Sequence, residues 1–107
     1  MSVWFELAGT TRRVEVAASF VDRLLGVLAP GVEAVLLPGR SVHGFGLTRS
    51  VWAIGIDRSG SVTEVRRLRP FGLLVLPGCR WILEIPIEWK PPRLGDRLRQ
   101  VGPCPVG

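Results

Sequence analysis

Short apolar runs that alternate with polar or smaller residues, each cut off by Gly or Pro, fill most of this 107-residue chain. A period of two puts successive side chains on opposite faces of a strand. Runs this short are closed by turns, and 13 glycines and 9 prolines supply them. Val3, Phe5 and Leu7 alternate with Trp4, Glu6 and Ala8. Past Gly9 and Thr10, Val14 and Val16 alternate with Arg13 and Glu15. Two such runs around a glycine turn predict a hairpin. Residues 33–37 are apolar after Glu33 and end at Pro38 and Gly39, which predicts a buried strand. Residues 51–56 and 62–68 flank Asp57, Arg58, Ser59 and Gly60. That turn composition predicts a second hairpin with Gly60 at positive φ. Residues 73–76, 81–87 and 97–101 complete the strands. Pro91 and Pro92 exclude helix or central strand around them, because two backbone donors are missing.

Residues 19–29 change period. Phe20, Leu24, Val27 and Leu28 share a helical face, and Ser19 with Asp22 has the spacing of a capping box. Pro30 and Gly31 stop the segment. The expectation is seven or eight short strands and one short helix, without a βαβ rhythm or an internal repeat. That is a mainly β chain: a compact antiparallel β-barrel or jelly-roll-like domain over residues 1–101, with a tail at 102–107. Its size is that of one domain with one modest core.

The formal charge is +5, carried almost wholly by arginine, since Lys90 is the only lysine. A basic balance suits an acidic partner, and Arg in particular makes bidentate contacts with phosphate or carboxylate. The arginines are scattered, and alternation splits the tightest group, Arg66, Arg67 and Arg69, across two sheet faces. Nucleic acid therefore ranks below protein as a partner. Two cysteines, Cys79 and Cys104, are too few for a disulfide framework or a zinc site. They leave a single bridge or free thiols open. The first residues lack a basic stretch leading into an apolar one, and no run approaches 18 apolar residues. A cytoplasmic protein with no membrane segment and reduced thiols is expected.

Leu36, Leu37 and Pro38, followed by Arg40, Ser41, Val42, His43, Phe45 and Gly46, resemble the central motif of the DUF192 family of small bacterial and archaeal proteins. Arg23, Leu24, Leu25 and Gly26 resemble its early segment, and Ile56 and Asp57 with Gly60 and Val62 its hairpin. Pro70 is similar to the proline that follows that hairpin. Trp81, Ile82, Leu83, Glu84, Ile85 and Pro86 resemble its glutamate-bearing strand, and Gly95, Asp96 and Arg97 its last turn. The resemblance spans about residues 10–101. It implies a compact barrel-like or jelly-roll-like fold and assigns no activity or cofactor. The chain departs from the family at Gly44, Leu47, Val51, Trp52, Ile87 and Glu88. Trp52 stands where the family has an acidic residue, so any polar site there is altered.

No phosphate-cradling loop, metal-ligand helix or nucleophile elbow is present. One histidine excludes a histidine-rich metal site. His43 with Asp57 and a cysteine is the only set suited to nucleophilic chemistry, and its spacing predicts no proximity. Catalysis thus ranks last, and no cofactor is implied. The candidate binding residues are His43, Phe45, Trp52, Glu84 and Trp89. His43 and Phe45 lie among glycines, and Trp52 begins a strand. Glu84 sits inside an apolar strand, and Trp89 precedes Lys90 and two prolines. A non-enzymatic domain that binds another protein, or itself, is the expected function. The alternatives are a small-molecule or carbohydrate pocket near His43 and weak nucleic-acid binding through Arg and Trp.

Overall fold

The computed structural model describes residues 2–17, 33–45 and 47–103. Nine strands run in chain order: β1 Ser2–Leu7, β2 Thr10–Val16, β3 Val35–Pro38, β4 Ser41–His43, β5 Val51–Ile56, β6 Val62–Leu68, β7 Leu73–Val75, β8 Trp81–Pro86 and β9 Arg99–Pro103. Seven form one sheet in the order β6-β5-β8-β3-β2-β1-β9, and β4 and β7 form a separate two-stranded ribbon.

Both expected hairpins form. Leu7 pairs with Thr10, so Ala8 and Gly9 make a two-residue turn. Both have positive φ, 48° and 84°, as the right-handed twist of a hairpin favours. The turn at residues 57–60 joins antiparallel β5 and β6, with Ile56 opposite Val62 and Gly60 at φ 88°. Asp57 Oδ1 accepts from Ser59 N, Ser59 Oγ and Ser61 N at 2.9, 2.7 and 3.0 Å. The Ser59 hydroxyl, then the Ser61 N–H, hold the Asp57 carboxyl below its ordinary value of 3.8. A carboxyl lowered on folding adds stability above its unfolded value and loses it as pH falls through the folded one. Below about pH 4 the native protein should therefore lose stability faster than an Asp57→Asn variant. Urea midpoints at a series of pH values check this, and parallel acid losses in the two proteins would refute it.

Three expectations are corrected. The first is closure into a barrel. The sheet curls into an open half-barrel, and its two ends meet near a single bridge, Ser61 with Arg97. Hydrogen bonds from Val62 N to Asp96 O (2.7 Å), Gly95 N to Val62 O (2.8 Å) and Leu98 N to Gly60 O (2.9 Å) support that contact. Beyond it the chain facing β6 contains Pro91 and Pro92, which bring no N–H to a ladder. The second correction is the antiparallel rule. β2 and β3 are parallel, with Glu15 opposite Val35 and Val16 opposite Leu36. A connection of more than a dozen residues between them permits that geometry. The third is the helix. Among the described residues no helix occurs, and the helix expected over residues 19–29 lies outside them.

The central strands β3, β5 and β8 are buried on both faces, which explains their nearly continuous apolar sequences. Inside the curl, Val3, Val14, Leu36, Ile54, Ile56, Leu83 and Ile85 form one cluster. On the outer face Val35, Leu37, Ala53, Leu68, Leu76, Cys79 and Ile82 form a second. Val42 and Leu74, the middle residues of the ribbon, pack on that second cluster. The ribbon thus covers the outer face of the sheet. An isolated two-stranded ribbon is marginal in water, so this packing is what holds it. Cys79 is buried beside it, and its thiol donates to Gly39 O at 3.3 Å. Burial, helped by the charge of Glu64, pushes that thiol up from its ordinary value, so it stays protonated at neutral pH. Cys104 lies outside the described residues.

Candidate functional site: an aromatic patch on the ribbon

The ribbon is shaped by one backbone contact. Residues 69–72 press against Gly44, where an added Cβ would lie 2.0 Å from Arg69 O and 2.8 Å from Phe71 N. Only glycine fits there. Phe71 N donates to Gly44 O at 3.1 Å, Gly44 N to Gly72 O at 2.8 Å, and Gly72 N to Arg69 O at 2.9 Å. These bonds hold Phe71 at φ 61°, in the left-handed region that a bulky residue rarely enters.

The register of the ribbon pairs Ser41 with Val75, Val42 with Leu74 and His43 with Leu73. Val42 and Leu74 point at the sheet, so their neighbours in sequence point outward. Phe71 is 79% exposed, Leu73 70%, Val75 59% and Phe45 53%. Phe45 and Phe71 meet edge to face with ring centroids 6.2 Å apart, and His43 lies 6.3 Å from Phe45 in a similar geometry. His43 Nδ1 accepts from Phe45 N at 3.3 Å. Its ring is thereby fixed within the patch. Arg40 precedes β4 and Arg69 precedes Pro70 and Phe71, and both are exposed.

Of the five residues singled out from sequence, two come together here, His43 and Phe45. The other three lie elsewhere. Trp52 is half-buried against the inner cluster and donates from Nε1 to Ile87 O at 3.2 Å. Trp89 packs on the same cluster, and the Arg12 guanidinium carbon sits 4.2 Å from its ring centroid. That cation–π contact occupies its outer face. Glu84 is buried on the outer face of the sheet, flanked in register by Val35 and Ala53. It lines a depression of about 160 Å³ with Glu33, Leu47, Thr48, Arg49 and Val51. Arg49 pairs with exposed Glu88 at its margin, a contact of small energetic value.

Sequence reasoning missed Phe71, Leu73 and Val75. The run of residues 73–76 reads as uniformly apolar, which signals burial on both faces. The available clue was its position, three paired residues between Gly72 and Pro77, too short for an interior strand. The spacing of Gly44 and Gly46 does signal close backbone approach. For Gly44 the approaching group is the backbone of Arg69 and Phe71. Gly46 lies outside the described residues.

Among the described residues no group of three or more His, Cys, Asp or Glu side chains is placed to hold a metal. Among them, too, no helix is long and apolar enough to cross a membrane.

A UPF0127 protein of Thermococcus sibiricus is 32% identical over 101 residues, a match covering 82% of this chain. The chain spans 66% of the length of that relative. No family model matches the chain. The DUF192 assignment drawn from motifs is corrected accordingly, since its model is not matched and the relative carries the UPF0127 name. No solved structure matches.

Proposed function

We propose that this small, mainly β domain is a non-enzymatic interaction module that docks another protein on the outer face of the β4–β7 ribbon. The observation that carries this reading is Phe71, at once at positive φ and 79% exposed. A left-handed bulky residue costs roughly 1–2 kcal/mol. Leaving a Phe side chain in water forgoes roughly 1.5–3 kcal/mol more. Glycine would suit the backbone better, and a polar residue the solvent. Unfavourable conformations concentrate where function requires them. Phe45, Leu73 and Val75 extend the apolar surface, and contiguous exposed apolar surface marks interaction sites.

The charge around the patch selects the partner. Arg40 and Arg69 stand at its two ends, and the chain carries +5 overall. A second copy would bring arginine against arginine. An acidic protein surface with an apolar anchor matches both features, because complementary charge steers encounter and like charge suppresses it.

Phe71→Gly separates binding from folding. Relief of the left-handed strain should leave stability unchanged or raise it by about 1 kcal/mol. Retention of the partner on the immobilised protein should fall at least tenfold, as for a central aromatic anchor worth about 2 kcal/mol. Retention undiminished in a well-folded Phe71→Gly protein would contradict the proposal. So would self-association detected by sedimentation at micromolar concentration and lost in the variant.

A further inference from the structure

Among the described residues, the inner face of the curled sheet is covered by indole rings toward one end and hollowed toward the other. Trp52 and Trp89 pack over the cluster at one end. At the other, Val3, Phe5, Val16, Leu36, Ile56, Trp81 and Leu98 wall a cavity of about 360 Å³, with Asp57, Arg58, Gly60 and Gln100 also lining it. The exposures within the cluster follow this division. Val3, Leu36 and Ile56 retain 6%, 8% and 6%, while Val14, Ile54, Leu83 and Ile85 retain none. The three most accessible members of the cluster are the three that line the cavity. Protein interiors seldom leave voids larger than a water molecule, and ligand sites begin at about 300 Å³ in the mouths of curved sheets.

The polar rim restricts what enters. Asp57 is held by Ser59 and Ser61, and the charge of Arg97 acts on it. Asp57 Oδ1 is thus occupied by its own turn, and Arg58 is the cation among the described residues that line the opening. Its guanidinium is planar, always charged and shaped for a carboxylate. Phe5 and Trp81 contribute large aromatic rings to the same lining.

We infer that the open end of the half-barrel binds a small, mainly apolar carboxylate, its apolar body against Phe5, Ile56 and Trp81 and its carboxylate at Arg58. The site is separate from the ribbon patch and does not depend on the partner proposed for it. Octanoate and 1-octanol are suitable probes, because they share a chain and differ in charge. Two-dimensional NMR titration of the full chain reads both affinity and location. Octanoate should shift the signals of Val16, Leu36, Ile56 and Leu98 saturably and leave those of Leu73 and Val75 in place. Arg58→Gln should weaken octanoate about fivefold, the value of an exposed ion pair, and leave 1-octanol within about twofold. Gln100→Trp, at an exposed rim position, should cover the opening and abolish binding of both. Both substitutions are at exposed side chains, so folding is preserved. Shifts centred on Leu73 and Val75, shifts that do not saturate, or octanoate affinity indifferent to Arg58→Gln would each overturn the inference.

Discussion

Gly44→Ala should unfasten the ribbon. A Cβ at this position would meet Arg69 O at 2.0 Å and Phe71 N at 2.8 Å, and both are backbone atoms. Neither can swing aside as a side-chain tip would. The bonds from Phe71 N to Gly44 O and from Gly44 N to Gly72 O must lengthen or break. The ribbon would lift from the outer cluster and expose Leu68, Leu76 and Ile82, which are almost fully buried there. A loss of about 3 kcal/mol is expected, at the upper end of the range for overpacking. Denaturant unfolding gives the total. Amide exchange should show the loss concentrated at β4 and β7, with β5 and β8 still protected. A cost below about 1 kcal/mol would mean that the two segments part easily and that Gly44 does not position Phe71.

Trp52→Ala is the second large effect. Sequence alternation places Trp52, Ile54 and Ile56 on one face of β5, and the structure gathers all three on the inner cluster. The ring is only half-buried, and its N–H is spent on Ile87 O. Removing a fully buried Trp costs about 3–5 kcal/mol, so about 2–3 kcal/mol is expected for this one. Trp52→Phe keeps most of the apolar contact and drops the donor, and should cost about 1 kcal/mol. Binding at the ribbon should be unaffected by Trp52→Phe, since Trp52 lies on the inner face of the sheet. Equal costs for Ala and Phe would show that the hydrogen bond, and not packing, is what Trp52 contributes.

These two residues also show what the sequence made legible. Period two located β1, β2, β5, β6 and β8 to within a few residues, because it reports a physical constraint that half-buried strands obey, whereas β4 was not marked as a strand. The turn at Asp57 was readable for the same reason. Its carboxylate and Gly60 perform local tasks that leave local signatures. The parallel pairing of β2 and β3 left no such signature, since pairing is decided between distant segments. Nor did the open edge, which depends on where Pro91 and Pro92 fall relative to β6. His43 and Phe45 were found through the neighbouring glycines. Phe71, Leu73 and Val75 were hidden because an apolar residue carries the same letter whether it faces a core or a partner. Only the burial of Val42 and Leu74 on the sheet decides which residues of the ribbon face outward.

The most direct test of the ribbon as a docking face is site-specific photocrosslinking in living cells. A photoreactive residue is placed at Leu73, inside the patch, and in a parallel protein at Thr11, which is exposed on β2 in the large sheet. A discrete crosslink to one acidic protein is expected from position 73, absent from position 11 and lost when Phe71→Gly is added. Equal labelling from both positions, or crosslinks from position 73 only to other copies of the chain, would contradict docking at the ribbon.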